Sequence, residues 1–185
     1  MKAVYLVRHC RAAGQSPDVP LTHEGFAQAE RLADFLAPVG VEQIVSSPYV
    51  RAVQSVTPLA RRLGLPLETD ERFGEWVLAG EPVPDYLTAI QAAFADPSLS
   101  YPGGETGAAL TERAMAGLEA VRQHPAKVTV VALHGGILSH LLRRFIPGFG
   151  FNEWQKLTNP DVYLLTVGNR ETCIRVWDTE VKGTA

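Results

Sequence analysis

The feature that most constrains the fold is the run VTVVAL, Val128–Leu133, almost wholly apolar and sharply bounded. A strand with apolar side chains on both faces belongs inside a parallel sheet covered by helices on each side. Ala3–Val7 is a second such run, ended abruptly by Arg8 and His9. Helical segments come between them. LTHEGFAQAERLADFLAPVG puts Phe26, Ala29, Ala33 and Leu36 on one face, with Thr22 as N-cap and Glu24 in the first turn; Pro38 and Gly40 end it. VEQIVSSP reads as a short strand stopping at Ser46-Ser47-Pro48, and LPLETD as a weak one. YVRAVQSVTPLARRLG reads as a helix that Pro58 should kink or split.

Further helices are expected over Val83–Ala95, in TGAALTERAMAGLEAVRQHP, where Leu110, Ala114, Leu118 and Val121 align, and from about Gly136 to Phe145. VYLLTV and TCIRVW flank Gly168-Asn169-Arg170-Glu171, which predicts an antiparallel hairpin with Gly168-Asn169 as its turn pair. The alternation predicts a three-layer α/β/α fold with a mostly parallel central sheet and an antiparallel edge strand. At 185 residues the whole chain, 1–185, is expected to form one domain.

Composition narrows the function. A net charge of -3 and a pI near 5.9 argue against a nucleic-acid or membrane-surface binder. Cys10 and Cys173 are too few for a disulfide scaffold and lack zinc-ligand spacing. The first apolar run is too short for a signal peptide, and His134, two glycines and His140 interrupt KVTVVALHGGILSHLL, the nearest thing to a membrane span. A cytoplasmic location is expected.

Three strand ends then look alike. The first delivers Arg8 and His9, the second SSPYVR with Arg51, and VTVVAL delivers His134-Gly135-Gly136. Ligands of open α/β sheets bind outside the carboxyl ends of the strands. Two guanidinium groups there suit a tetrahedral dianion, and the helix after His134 can add backbone N–H groups. One histidine can attack phosphorus while the other stabilises charge on the oxygens. Glu71 and Glu75, in DERFGEWVLAG, are candidate proton donors if partly buried. Each residue has a bland reading when taken singly: a strand-end arginine, a core or capping histidine, a solvated Arg51, a surface Glu75, a space-filling Cys10. His23, His124 and His140 are read as structural or exposed.

The ordered set of segments resembles the histidine phosphatase superfamily, the phosphoglycerate mutase-like proteins. VRHC stands at the family's Arg-His-Gly signature, and LTHEGFAQAERLADFL at its Leu-Thr-x-x-Gly-x-x-Gln-Ala segment. SSPYVRAVQSVTPLARRLGLP matches the second-arginine segment and ERFGEWVLAG the acid-bearing one. YPGGET, VALHGGILSHLL and NPDVYLL follow in family order, VALHGGILSHLL as the second-histidine motif.

The resemblance implies that His9 is the nucleophile, with Arg8, Arg51 and His134 holding the phosphoryl oxygens. It makes Glu75, in preference to Glu71, the proton donor and later the base that activates water. No metal or cofactor is implied. The expected activity is hydrolysis of a small phosphorylated metabolite; a small phosphoglycerate mutase and a phosphate-ester binding protein without turnover are the alternatives. The stretch between Glu75 and His134 is short for a mutase, and Gln15 falls near a position where mutases carry asparagine. Cys10 replaces the family glycine, and is expected to line and narrow the pocket and to sensitise it to thiol oxidation. PGFGFNEW could cover the sheet edge or a partner, leaving the oligomeric state open.

Overall fold

The computed structural model describes residues 1–168 and 170–177, so the predicted Gly168-Asn169 turn lies partly outside the described residues. The chain runs β1 (Lys2–Arg8), α1 (His23–Leu36), β2 (Gln43–Ser46), α2 (Val50–Leu63) and β3 (Leu67–Thr69). It continues through α3 (Tyr86–Ala95), α4 (Gly107–Gln123), β4 (Val128–Leu133) and α5 (Gly135–Leu142), then α6 (Phe151–Gln155), β5 (Asp161–Val167) and β6 (Thr172–Arg175). The sheet order is β3-β2-β4-β1-β5-β6. β3, β2, β4 and β1 are parallel, and β5 and β6 add antiparallel to the β1 side. The fold is three-layered and mostly parallel, with two antiparallel strands at one edge.

The alternation of side chains along β4 builds the two cores. Val130 and Ala132 join the apolar cluster under α1 and α2, while Val131 and Leu133 join the larger one under α3, α4 and α5. Both sides of β4 are therefore dry, as its sequence requires. Burying one such leucine stabilises the fold by roughly 1.5–3 kcal/mol.

Two local expectations change and an open one resolves. Phe26 is 47% exposed, and Gln28 is buried on the α1 face instead. The reason is polar: Gln28 Oε1 accepts the N–H of Arg11 at 2.8 Å, and turning that side chain inward turns Phe26 out. Pro58 does not split α2, which is continuous from Val50 to Leu63. Ser55, Val56, Leu59 and Ala60 are buried, so packing holds the helix through the missing N–H. PGFGFNEW folds onto its own chain, with Phe151 and Trp154 of α6 packed on Phe94 and with Phe149 edge-on to Tyr163. Among the described residues no helix is long and apolar enough to cross a membrane.

Candidate active site

Register explains why the site forms. In the parallel ladder the N–H of His9 donates to Leu133 O and that of Ser47 to Ala132 O, each at 2.9 Å. β1, β4 and β2 therefore end level, and His9, His134 and Ser47 emerge beside one another. The His9 and His134 rings meet edge-on, with centroids 5.1 Å apart.

His9 is 7% exposed, and its Nδ1–H donates to its neighbour's carbonyl, 2.6 Å from Cys10 O. That bond puts the ring proton on Nδ1 and leaves a lone pair on Nε2, which accepts from Arg51 Nε at 3.3 Å. Burial, then the Arg51 and Arg8 charges, outweigh the Cys10 bond and pull the His9 pKa down to about 3. The ring is neutral at neutral pH. Two further bonds fix its backbone: Asn159 Nδ2 donates to His9 O at 2.7 Å, and Cys10 N to Ser55 Oγ at 2.8 Å.

Arg51 is 1% exposed, with Nη1 donating to Ser16 O at 2.9 Å and its guanidinium 4.9 Å from the centre of the Tyr49 ring. Arg8 is tied to Leu157 O at 2.8 Å through Nη1, while its Nε is buried with no protein partner. His134 Nε2 lies 2.7 Å from Ser47 Oγ, and its Nδ1 is likewise buried without one. Burial and the surrounding His9, Arg51 and Arg8 hold the His134 pKa well below the ordinary histidine value. Unpartnered buried donors of this kind are rare unless a ligand completes them.

Glu75 sits at the start of α5. Its Oε2 accepts from Gly136 N at 3.1 Å, and its Oε1 from Ile137 N at 3.1 Å and Trp76 N at 2.7 Å. The sequence reading offered the N–H groups of this helix to the anion; those of Gly136 and Ile137 instead hold Glu75. A methyl group on Gly136 would come within 2.8 Å of Glu75 Oε1, so glycine gives the carboxylate its room. Arg113 positions the segment from below, donating to Arg72 O, Gly74 O and Glu75 O and pairing with Glu105 at 2.5 Å. Glu71 is exposed on the short turn before Glu75.

Cys10 does not line the pocket. It is wholly buried in the apolar cluster under α1 and α2, and burial pushes its pKa up to about 12. An unionised thiol sealed from solvent is a poor target for oxidation, which removes the expected sensitivity. The residue is not at positive φ, so no glycine is needed for the backbone path. Gln15 does line the cavity. His23 and His124 are exposed, and His140 is buried against Phe94 and Trp76.

Ser47, Ser55, Tyr49, Arg113 and Asn159 were not singled out from the sequence. Ser47 and Tyr49 lie in SSPYVR and Asn159 in NPDVYLL, two of the segments that carry the family resemblance.

Arg8 and Glu75 thus line a cavity of about 730 Å³ at the carboxyl edge of the sheet, together with Tyr49 and Gly135, while His9, Arg51 and His134 form a buried cluster at the ends of the same strands. A buried arginine and a half-buried one, beside two histidines and a carboxylate, form a group with the chemistry to bind a phosphoryl ester. A family model for the histidine phosphatase superfamily, branch 1, matches residues 4–180. The chain belongs to the histidine phosphatase superfamily. It is 30% identical over 162 residues to the uncharacterized phosphatase PhoE of Bacillus subtilis (strain 168), covering 80% of this chain and 79% of that protein. It is 32% identical over 160 residues to the probable phosphoglycerate mutase GpmB of Yersinia pestis (strain Pestoides F), covering 77% and 74%. The solved structure of a mycobacterial glucosyl-3-phosphoglycerate phosphatase with inorganic phosphate superposes with a TM-score of 0.77 at 23% identity, covering 96% of this chain and 97% of that one.

Proposed function

We propose that the protein is a phosphomonoesterase that hydrolyses a small phosphorylated metabolite through a phosphohistidine on His9, with no metal ion taking part. The observation that carries this reading is the 2.6 Å bond from His9 Nδ1 to Cys10 O, which leaves Nε2 unprotonated at neutral pH. Nε2 attacks phosphorus; the N–P bond forms as the P–O bond to the alcohol breaks. Glu75 gives its proton to the departing oxygen. Arg8, Arg51 and His134 hold the three remaining phosphoryl oxygens, where charge stabilisation lowers the barrier. Water then attacks phosphorus, its proton passes to Glu75, and the N–P bond breaks to release phosphate. Gln15, exposed at the cavity wall, is a further contact for the substrate. Among the described residues no three His, Cys, Asp or Glu side chains gather as a metal-ligand set.

The test is phosphate release from phenyl phosphate with chelator present, for wild type and His9→Ala, with acid-quenched wild type examined for a phosphorylated histidine. Release that survives chelation, disappears in the variant and passes through labelled His9 is the expected result. No release from wild type overturns the hydrolase reading. Bisphosphate-dependent isomerisation of phosphoglycerate would then identify a mutase, and uptake of a phosphate ester without turnover a binding protein.

A further inference from the structure

The cavity lined by Arg8 and Glu75 also has an apolar wall. Trp76, Leu78, Val83, Tyr86, Ile90 and Trp154 form it. Among the described lining residues Arg8 is the one cation, whereas Glu75 and Glu81 are both acidic. The other arginines of this half of the molecule are engaged elsewhere: Arg113 on Glu105, Arg72 on Asp70 and Arg143 on Phe94 O. A second anionic group on the substrate would therefore lose water without gaining a countercharge, and would face Glu81.

The apolar wall is fixed in place. Trp76 Nε1 donates to Glu105 O at 3.1 Å, and its ring meets His140 and Phe94 edge-on at 4.6 and 5.7 Å. Phe94 in turn packs on Trp154 at 6.0 Å. The strand-like segment after Trp76 is clasped from outside, with Glu105 N donating to Val77 O and Gly80 N to Pro102 O, both at 2.8 Å. Of the lining residues Val77 and Tyr86 are left 43% and 51% exposed. Large apolar side chains held open to water beside a polar reaction centre mark a surface that a ligand covers.

We infer that this apolar wall is a subsite for an uncharged, ring-bearing alcohol, so that the substrate class is phosphomonoesters of apolar or aromatic alcohols and not phosphorylated acids. This rests on the phosphatase reading, since it places the leaving group of the same reaction. The phosphoryl group engages Arg8, Arg51 and the histidines, and the ring of the alcohol lies between Trp76 and Tyr86. Burying one ring on that wall favours it over a two-carbon alcohol by about tenfold or more.

The test compares 2-phenylethyl phosphate, ethyl phosphate and 3-phosphoglycerate, all esters of aliphatic alcohols, so that leaving-group acidity does not dominate. Binding to His9→Ala is measured by titration calorimetry, which reports the subsite whether or not the wild type turns over. The expected result is a Kd for 2-phenylethyl phosphate at least about tenfold below the other two. Tyr86→Ser should bring the ratio of the phenylethyl to the ethyl ester toward unity, and Glu81→Lys should shift preference toward 3-phosphoglycerate. Equal or tighter binding of 3-phosphoglycerate, or a ratio that Tyr86→Ser does not move, overturns the inference. Phosphate release from the same esters by wild type tests the hydrolase reading separately.

Discussion

Ser47 Oγ lies 2.7 Å from Nε2 of His134, and accepts the Tyr49 N–H at 3.3 Å on its other side. A hydroxyl that donates to Nε2 leaves the ring proton on Nδ1, the nitrogen with no protein partner. In the proposed mechanism that proton is the one His134 donates to a phosphoryl oxygen. Ser47→Ala is expected to lower kcat by about tenfold to a hundredfold, the effect of one misdirected buried hydrogen bond, with KM changed much less. Steady-state kinetics check it; an unchanged kcat would remove Ser47 from the positioning of His134.

Glu75→Gln separates proton donation from helix capping. The amide oxygen can still accept from Trp76 and Ile137, but the NH₂ group opposes the Gly136 N–H. Stability should fall by about 1–2 kcal/mol. Turnover of an alkyl phosphate should fall by about 10² to 10⁴, and of p-nitrophenyl phosphate far less, because a nitrophenolate leaves without a proton. Equal losses for both esters would show that Glu75 is not the proton donor.

Buried neutral histidines make stability depend on pH. The folded pKa of His9 is lowered to about 3, that of His140 to about 4, and that of His134 well below its ordinary value. Unfolding frees all three to bind protons near pH 6.5, so the unfolded chain holds more protons across the window between. Stability is therefore full above about pH 6.5 and lost as pH falls through it, by up to about 1.4 kcal/mol per pH unit for each histidine. Urea unfolding at pH 7 and pH 5 measures the slope. His140→Leu should flatten it by about a third, with stability at pH 7 within about 1 kcal/mol, since His140 Nε2 is buried without a partner. A slope unchanged in this variant would exclude His140 from the acid limb.

Cys10→Gly restores the family signature but empties a position in the core. We expect melting to move down by an amount equivalent to about 1–2 kcal/mol, from the cavity and the freer backbone, with kcat within about twofold of wild type. Thiol-directed reagents at pH 7 should leave wild-type activity intact. An increase in kcat for Cys10→Gly, or rapid inactivation by a thiol reagent, would restore the residue to the pocket.

Much of this molecule is written locally. The buried strands Ala3–Val7 and Val128–Leu133, the cap at Thr22 and the polar residues at three strand ends each depend on a few neighbours in sequence. The errors share a different origin. Phe26 faces out because Gln28 is needed by the backbone of Arg11, a contact across 17 positions. α2 is not split at Pro58 because its buried face outweighs one absent N–H. Cys10 turns into the core because its N–H is met by Ser55, 45 positions away.

The site divides in the same way. The proposed set, His9, Arg8, Arg51, His134 and Glu75, stands out in sequence because phosphoryl chemistry needs those residue types and four of them follow strand ends closely. Their protonation states and supports are not, because those are set by partners distant in the chain: Arg51 on His9 Nε2, Ser47 on His134, Arg113 beneath Glu75, Asn159 on His9 O. Sequence alone determined the layered architecture and the chemical inventory of the site, since both follow from local periodicity and residue type. The tertiary structure alone decided which nitrogen of His9 carries the proton, which donors Glu75 occupies and that much of the cavity wall is apolar, because burial and long-range hydrogen bonds exist only once the strands have aligned.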